Sequence, residues 1–143
     1  WLHLEITEST VMADPHQALA VLGELRELGV RLSLDDFGTG YSSLAYLQKL
    51  PVHELKIDRS FVMHLAASAG DAAIVQTIAA LGHHLGLDVV AEGVEDAESL
   101  DRLGHLGCDL AQGFHIARPM PGPDVLPWLY TSPFGLGPST SRS

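Results

Sequence analysis

The chain has 143 residues, enough for one ordinary domain, and a formal net charge of −10 from 8 Lys and Arg against 18 Asp and Glu. This acidic balance argues against duplex nucleic acid or an anionic membrane as the main partner, so we expect neither DNA binding nor membrane contact from this segment. An anionic small substrate stays open, because bound metal ions can invert the local field. Cys108 is the single cysteine, so no internal disulfide can form, and a reducing, cytoplasmic compartment fits.

The first residue is Trp1 rather than Met, and it lies directly on a strand-like pattern. We therefore expect a segment of a longer parent protein. No apolar run approaches the roughly 18 residues of a membrane helix, although other domains of the parent can still anchor it to a membrane.

Strand patterns and helix patterns alternate along the chain. Strands are predicted over 1–6, 30–34, 52–57, 87–91 and 108–111. Helices are predicted over 15–28, 43–49, 71–85, 97–106 and 124–130, and the Pro, Gly and Ser content indicates a flexible tail over 131–143. The alternation predicts an α/β fold with parallel strands.

Every predicted strand ends in polar or ionisable residues. These are Glu5 and Glu8, Asp35 and Asp36, Lys56 and Asp58, Glu92 and Glu95, and Gln112. In a (β/α)8 barrel the C-terminal ends of the strands converge on the active site. The pattern therefore predicts that these side chains meet at one mouth of such a barrel.

Asp35 and Asp36 stand where an apolar alternation ends, and Gly38, Thr39 and Gly40 follow at once. Because neighbouring strand residues point to opposite faces, the two carboxylates can share a target only if the strand ends there. Adjacent carboxylates beside a glycine-hinged loop suit a hard divalent cation. Taken alone, the same residues are equally ordinary in an Asp-rich turn.

The predicted mouth collects the carboxylates of Glu5, Asp35, Asp36 and Glu92, which would repel one another unless cations lay between them. Ligand sets made only of oxygen suggest Mg2+ or Mn2+ over Zn2+. Two such ions about 3.5–4 Å apart can activate water and stabilise the attacking and leaving oxygens of a phosphodiester. Lys56 adds a positive charge for the phosphate or the activated water.

The histidines and the cysteine carry less functional weight. His83 and His84 are adjacent on a predicted helix, so they cannot form the spaced histidine pair of a zinc protease, and we expect them at the surface or in packing. His3 lies two residues before Glu5 and is expected to be a buried structural histidine. Cys108 has no Cys or His at ligand spacing and is expected to be a core thiol.

Five short blocks carry a further signal. They are LEITES at 4–9, DDFGTGYSSL at 35–44, LKIDRSFV at 55–62, AEGVE at 91–95 and QGF at 112–114. In this order and at this spacing, across about residues 1–121, they resemble the EAL domain, the cyclic di-GMP phosphodiesterase of bacterial signalling. Any one block is weak, but the set is highly specific.

The resemblance implies a TIM-like (β/α)8 barrel of which this chain covers only the later strands and helices. Residues 1–130 would form the C-terminal portion of that barrel. The implied activity of the parent domain is hydrolysis of the second messenger cyclic di-GMP to the linear dinucleotide by a two-metal mechanism, a reaction linked to biofilm control. Mg2+ or Mn2+ would serve as cofactor, and Ca2+ would inhibit.

The same resemblance implies a role for each matching residue. The implied metal ligands are Glu5, Asp35, Asp36 and Glu92, with Asp35 bridging the two ions. The implied catalytic residues are Lys56, Glu92 and Asp36, and the implied substrate-binding residues are Asp58 and Gln112. Glu8, Glu95, Gly38, Thr39 and Gly40 match residues that stabilise the loop after Asp36 or support the site from behind.

The sequence also departs from the family pattern. The Glu-Ala-Leu signature, the arginine after it and a metal-binding asparagine belong upstream and are not in this chain, so we assign the activity to the parent domain and expect no catalysis from the fragment alone. The parent is expected to form a homodimer in which the loop at 37–43 couples metal binding to dimer contacts. Sensory or GGDEF-type domains can precede it.

Two other interpretations stay open. A degenerate EAL domain would act as a receptor for cyclic di-GMP or for a protein without catalysis, and it would be expected to lose part of the Asp-Asp, Lys or Glu set, all of which is kept here. An unrelated metal-dependent barrel, such as a lyase acting on a sugar phosphate, is what the fold alone would allow.

Overall fold

The fold is built on one sheet of five parallel strands. The computed structural model describes residues 2–40 and 44–136. The strands are β1 (His3–Thr7), β2 (Arg31–Phe37), β3 (Glu54–Ile57), β4 (Asp88–Glu92) and β5 (Leu110–Gln112). They lie side by side in the order β1-β2-β3-β4-β5, and each neighbouring pair is parallel. The predicted parallel α/β fold is confirmed, and the unreversed strand order is that of a barrel wall rather than of a doubly wound sheet.

Seven helices connect and follow the strands within the described residues. They are α1 (Glu8–Ala13), α2 (Pro15–Glu27), α3 (Leu44–Leu47), α4 (Arg59–Val62), α5 (Ala69–His84), α6 (Ala97–His105) and α7 (Gly122–Thr131). Helices α2, α5 and α6 begin at side-chain caps, as at Asp14, whose Oδ1 accepts the Gln17 N–H at 3.0 Å. The sequence missed α1 and α4 because each is too short to show an apolar stripe.

Parts of three predictions fall on residues 1, 41–43 and 137–143. Trp1, the predicted start of the first strand, lies outside the described residues. Ser43, the predicted start of the third helix, lies outside the described residues, and the helix is described over Leu44–Leu47. Within the predicted tail, Thr131 ends α7, and the Leu136 N–H donates to the Leu129 carbonyl at 2.6 Å. Residues 137–143 lie outside the description, so the flexible tail stays a prediction.

One face of the sheet packs against the helices and forms the hydrophobic core. Leu55, Ile57, Val89 and Ala91 on β3 and β4 are fully buried in this core. Helix α5 approaches the sheet most closely at Gly82, where a Cβ would lie 2.4 Å from Val89 Cγ2. The close approach requires glycine, and it leaves the polar face of the sheet on the opposite side from the helices.

Within residues 2–40 and 44–136, no helix is both long enough and apolar enough to cross a bilayer.

Candidate active site

A bulge in β2 brings Asp35 and Asp36 to one place. The strand does not end at these residues, as the sequence suggested, but runs on to Phe37 with a register shift against β3 between Leu34 and Phe37. Asp36 has a positive φ of 56°, a region that few residues other than glycine occupy, although Asp tolerates it. Its N–H donates to Asp35 Oδ1 at 2.9 Å. The bulge therefore removes the alternation that would have separated the two carboxylates.

Three carboxylates form the centre of the site. One oxygen from each of Asp35, Asp36 and Glu92 lies within 4.8 Å of the other two, and all three residues are partly buried. An Mg2+ ion holds opposite ligand oxygens about 4.2 Å apart, twice its bond length of about 2.1 Å, so small side-chain movements suffice to accommodate one. The donor set is oxygen only and fits the hard cations that the sequence predicted.

Lys56 is the buried cation of the site. Its Nζ lies 2.5 Å from Glu92 Oε1, 2.6 Å from Glu5 Oε1 and 3.8 Å from Asp35 Oδ1. Burial alone would lower the pKa of Lys56, but the hydrogen bonds to Glu5 and Glu92 and the charge of Asp35 outweigh it, and the pKa is raised. Lys56 is thus held in its charged form.

Glu5 lies on the Lys56 side of the mouth. Its side chain is about half exposed, and it contacts Lys56 Nζ. Among the described residues, the carboxylates grouped closely enough to share an ion are those of Asp35, Asp36 and Glu92. The predicted role of Glu5 as a metal ligand therefore needs a rotation of its side chain away from Lys56.

Asp58 lies against Asp36 and caps helix α4. Its Oδ1 accepts the Ser60 N–H at 2.9 Å. Burial opposes ionisation of Asp58, but hydrogen bonds from Ser60 outweigh it and the pKa is lowered. Burial is the largest cause that raises the pKa of Asp36, and the negative charges of Asp35 and Asp58 raise it further. A hydrogen bond between the two carboxyl groups acts in the same directions, raising the pKa of Asp36 and lowering that of Asp58.

The loop after Asp36 is held by Glu8, which is buried at the start of α1. Glu8 Oε2 accepts the Gly38 N–H at 3.2 Å, and a Cβ at Gly40 would lie 3.2 Å from Glu8 Oε1. The Thr39 hydroxyl donates to the Asp36 carbonyl at 2.9 Å. The hydrogen bond from Gly38 supports the predicted loop-stabilising role of Glu8, which stays a prediction. The last part of that loop, residues 41–43, lies outside the described residues.

A cleft of about 200 Å3 opens beside Glu92 at the C-terminal ends of β4 and β5. Gln112 is the register partner of Glu92 and lines this cleft with exposed Glu95. Its full lining is Arg59, Met63, Glu92, Gly93, Glu95, Gln112, Gly113 and Phe114. A Cβ at Gly113 would lie 2.1 Å from the Val94 carbonyl oxygen, so only glycine lets the chain pass here.

Sequence reasoning gave no role to Arg59 or Phe114, although both line this cleft. Phe114 is 54% exposed, and the Arg118 guanidinium lies 4.6 Å from the centroid of its ring. Their positions next to Asp58 and Gln112 in the sequence were the available signal. That signal was weak because Arg59 reaches the cleft only through the unpredicted helix α4.

The remaining single-residue expectations have mixed outcomes. The expectation of a buried His3 is wrong, because β1 is the edge of the sheet and the side chain is 40% exposed. His83 and His84 are exposed, as expected, and His83 pairs with Asp109 at 2.8 Å. Cys108 packs against the core, and burial raises the pKa of its thiol to about 11.

Comparison with known proteins assigns the chain to a family. The family model described as the EAL domain matches residues 1–119. The chain belongs to the EAL domain family. The bifunctional diguanylate cyclase/cyclic di-GMP phosphodiesterase MucR of Pseudomonas aeruginosa is 54% identical over 125 residues, which are 87% of this chain and 18% of MucR. The cyclic di-GMP phosphodiesterase NbdA of the same organism is 52% identical, over 85% of this chain and 16% of NbdA.

Solved EAL structures share the fold of this chain. The PaMucR phosphodiesterase in complex with c-di-GMP has a TM-score of 0.83 and 53% identity, covering 87% of this chain and 50% of that one. The manganese/cy-diGMP complex of Klebsiella pneumoniae BlrP1 has a TM-score of 0.76 and 38% identity, covering 82% and 30%. The EAL sheet described here is therefore part of a TIM-like barrel, as predicted, and the chain spans about half of the PaMucR structure and less than a fifth of MucR.

Proposed function

We propose that the protein carrying this EAL chain hydrolyses cyclic di-GMP to the linear dinucleotide in a reaction that depends on divalent cations. The observation that carries the proposal is the meeting of the Asp35, Asp36 and Glu92 carboxylates beside the buried Lys56 at one end of the sheet. The names of MucR and NbdA, and the c-di-GMP bound by PaMucR, support this substrate.

The cations we propose are two ions of Mg2+ or Mn2+, with Ca2+ binding but not supporting turnover. Asp35, Asp36 and Glu92 would hold them, with Asp35 shared, and Glu5 would join when it leaves Lys56. When bound, the ions supply Lewis acidity toward the phosphodiester and make water more acidic. The BlrP1 structures, one with manganese and one with calcium, support a site that accepts more than one divalent cation.

Lys56 would act on the phosphate and on the arrangement of the carboxylates. Its ammonium group contacts Glu5 on β1 and Glu92 on β4. It would therefore offset the repulsion between these two negative charges at the mouth. Because it is buried and charged, it also offers an electrostatic contact to the negative phosphate that water does not screen.

The cleft beside Glu92 would receive a guanine of the substrate. The amide of Gln112 can pair with a base edge, and the exposed ring of Phe114 offers a stacking surface, a contact worth roughly 1–3 kcal/mol per base. Asp58, between Asp36 and the start of α4, would take part from the other side of the metal centre.

The wider proposal for the protein follows the family. Residues 1–130 would be the C-terminal portion of its EAL barrel, and it would act in the cytoplasm as a homodimer. GGDEF-type or sensory domains would be its covalent neighbours, as the bifunctional name of MucR suggests for that relative.

The experiment compares two Asp-to-Asn variants of the full-length protein. Asp36→Asn keeps the shape of the side chain but removes a charge from the metal centre, so turnover of cyclic di-GMP in Mg2+ or Mn2+ should be lost. Affinity for cyclic di-GMP in Ca2+ should change less, because base contacts do not involve this side chain. Asp14→Asn is the matched control, since Asn caps a helix as well as Asp does and Asp14 lies at the start of α2.

Product analysis by chromatography decides the proposal. Wild type and Asp14→Asn should release the linear dinucleotide. A wild-type protein that binds cyclic di-GMP without releasing product would instead be a receptor. Normal turnover by Asp36→Asn would show that hydrolysis does not need the proposed metal centre.

A further inference from the structure

A second set of polar side chains lies below the candidate active site, on the same face of the sheet. We call it the lower polar layer, and its members are His3, Arg31, Ser33, Glu54 and Asp88. Glu54 is at its centre: Oε2 accepts the Ser33 hydroxyl at 3.0 Å and lies 3.4 Å from His3 Nε2, while Oε1 accepts Arg31 Nη2 at 3.0 Å. His3 Nε2 also hydrogen-bonds Ser33 Oγ, and Arg31 reaches Asp88 at 3.3 Å. The layer therefore joins strands β1, β2, β3 and β4.

Three members of the lower polar layer each stand two residues before a residue of the active site. Two residues along a strand return to the same face, about 6.6–6.8 Å further on. The pairs are His3 and Glu5, Ser33 and Asp35, and Glu54 and Lys56. The lower polar layer therefore lies directly next to the side chains of the active site, one step earlier along the same strands.

The layer is poorly explained as a stabilising device. Ser33 is fully buried and Glu54 is 9% exposed, so a hydroxyl and a carboxylate have been removed from water. Apolar branched residues usually fill this part of a barrel, and replacing a buried ion pair by apolar residues is often neutral or stabilising. What a buried polar layer supplies is a unique register of the strands that it joins.

The register matters most immediately after Ser33. The pairs Ser33 with Glu54 and Leu34 with Leu55 are the last before the β2 bulge, and pairing resumes only at Phe37 with Ile57. Asp35 and Asp36 lie in that gap, and Asp36 has a φ of 56° that its surroundings must hold in place. Glu8 holds the chain beyond the bulge through the Gly38 N–H, and the Ser33–Glu54 hydrogen bond holds it before the bulge.

We propose that Ser33 and Glu54 are positioning residues of the EAL site: their hydrogen bond fixes β2 against β3 below the bulge and so sets the spacing of the Asp35 and Asp36 carboxylates. Only the expected change in kcat rests on the proposed function. Its direct consequence is the affinity of the site for a divalent cation, since supporting contacts around metal ligands typically change affinity or activity about 10- to 100-fold.

The test compares two buried serines in the full-length protein. Ser33→Ala removes the hydroxyl that bridges His3 and Glu54, whereas Ser99→Ala removes one that bonds Asp96 at 2.9 Å at the start of α6, outside the lower polar layer. Mn2+ binding is titrated by electron paramagnetic resonance, with Asp35→Asn as the blank for manganese bound elsewhere. Thermal unfolding without metal is recorded for each variant.

Ser33→Ala should weaken Mn2+ binding about tenfold and lower kcat by a similar factor at saturating Mn2+, with KM for cyclic di-GMP within about twofold. Ser99→Ala should leave Mn2+ binding unchanged, although both variants lose a buried serine hydroxyl that is hydrogen-bonded to a carboxylate. Equal Mn2+ affinities in the two variants would overturn the positioning role.

Glu54→Leu removes both carboxylate oxygens, including the one that accepts the Ser33 hydroxyl, and should weaken Mn2+ binding in the same direction. It decides the question if Ser33→Ala does not fold, and wild-type Mn2+ affinity in Glu54→Leu would then overturn the role. A wild-type protein that binds Mn2+ but hydrolyses nothing would refute the proposed function, while the comparison of Mn2+ affinities would still test the layer.

Discussion

The two faces of the sheet differ sharply although they come from the same short strands. The face toward the helices carries Leu55, Ile57, Val89 and Ala91, all fully buried in the core. The other face carries the ionisable residues of the mouth, where Lys56 bridges carboxylates from two strands. Residues that alternate along one strand therefore have separate tasks, and the helix-facing face supplies stability whereas the polar face supplies chemistry.

This division predicts that substitutions on the two faces separate turnover from stability. A change on the polar face should reduce the reaction rate of a protein that stays folded. A change on the helix-facing face should lower the free energy of unfolding and leave the rate per folded molecule unaltered.

The largest effect is expected at Lys56. Lys56→Met removes the buried charge that contacts Glu5, Glu92 and Asp35, so kcat for cyclic di-GMP should fall about 10²–10³-fold, as for loss of one electrostatic donor from an active site. Lys49→Met, at an exposed position after α3, is the matched control and should keep wild-type kcat. Steady-state kinetics in Mn2+ measure both. A wild-type kcat in Lys56→Met would contradict the prediction that residues of the polar face determine turnover.

The next effect concerns Leu55, one residue before Lys56 on the same strand. Leu55→Ala should lower the free energy of unfolding by about 2–5 kcal/mol, because the side chain is fully buried and its removal leaves a cavity. The kcat of the folded fraction should stay within about twofold of wild type. Leu28→Ala, at a position 78% exposed, should change stability little. Urea unfolding measures the difference, and a kcat loss in folded Leu55→Ala would show that the faces are not independent.

The smallest effect is a difference in sign between two helical glycines. Gly82→Ala should destabilise by about 1–3 kcal/mol through overpacking, since its Cβ would lie 2.4 Å from Val89 Cγ2. Gly104→Ala on α6 should stabilise by about 0.5–1 kcal/mol, because nothing lies within 4 Å of its Cβ. Thermal unfolding of the two variants checks the contrast, and equal shifts would contradict the close approach of α5 to the sheet.

The parts of the fold and site that follow from local pattern were predictable. Polar residues directly after apolar runs predicted that Glu5, Asp35, Lys56, Glu92 and Gln112 would mark strand ends. The structure places Lys56, Glu92 and Gln112 in the last two residues of β3, β4 and β5, whereas Glu5 and Asp35 lie two residues before the ends of β1 and β2. Glycines and caps set the bounds of the long helices within a few residues.

The rest depends on tertiary contacts that no local pattern contains. The bulge at Asp36 arises from a backbone angle and a register shift, neither of which has a sequence signature at an Asp. Ser33 and Glu54 look like solvent-facing strand residues until the sheet pairs them. Phe114 and Arg59 meet in one cleft only because α4 and the end of β5 are neighbours in the fold.

If the polar face of this EAL sheet holds divalent cations between Asp35, Asp36 and Glu92, bound manganese should be visible there. Anomalous diffraction at the manganese edge tests this in crystals of the full-length protein grown with Mn2+. An anomalous peak should lie within about 2–2.6 Å of oxygens from these three carboxylates. Crystals with manganese bound elsewhere and no peak between the three carboxylates would contradict it.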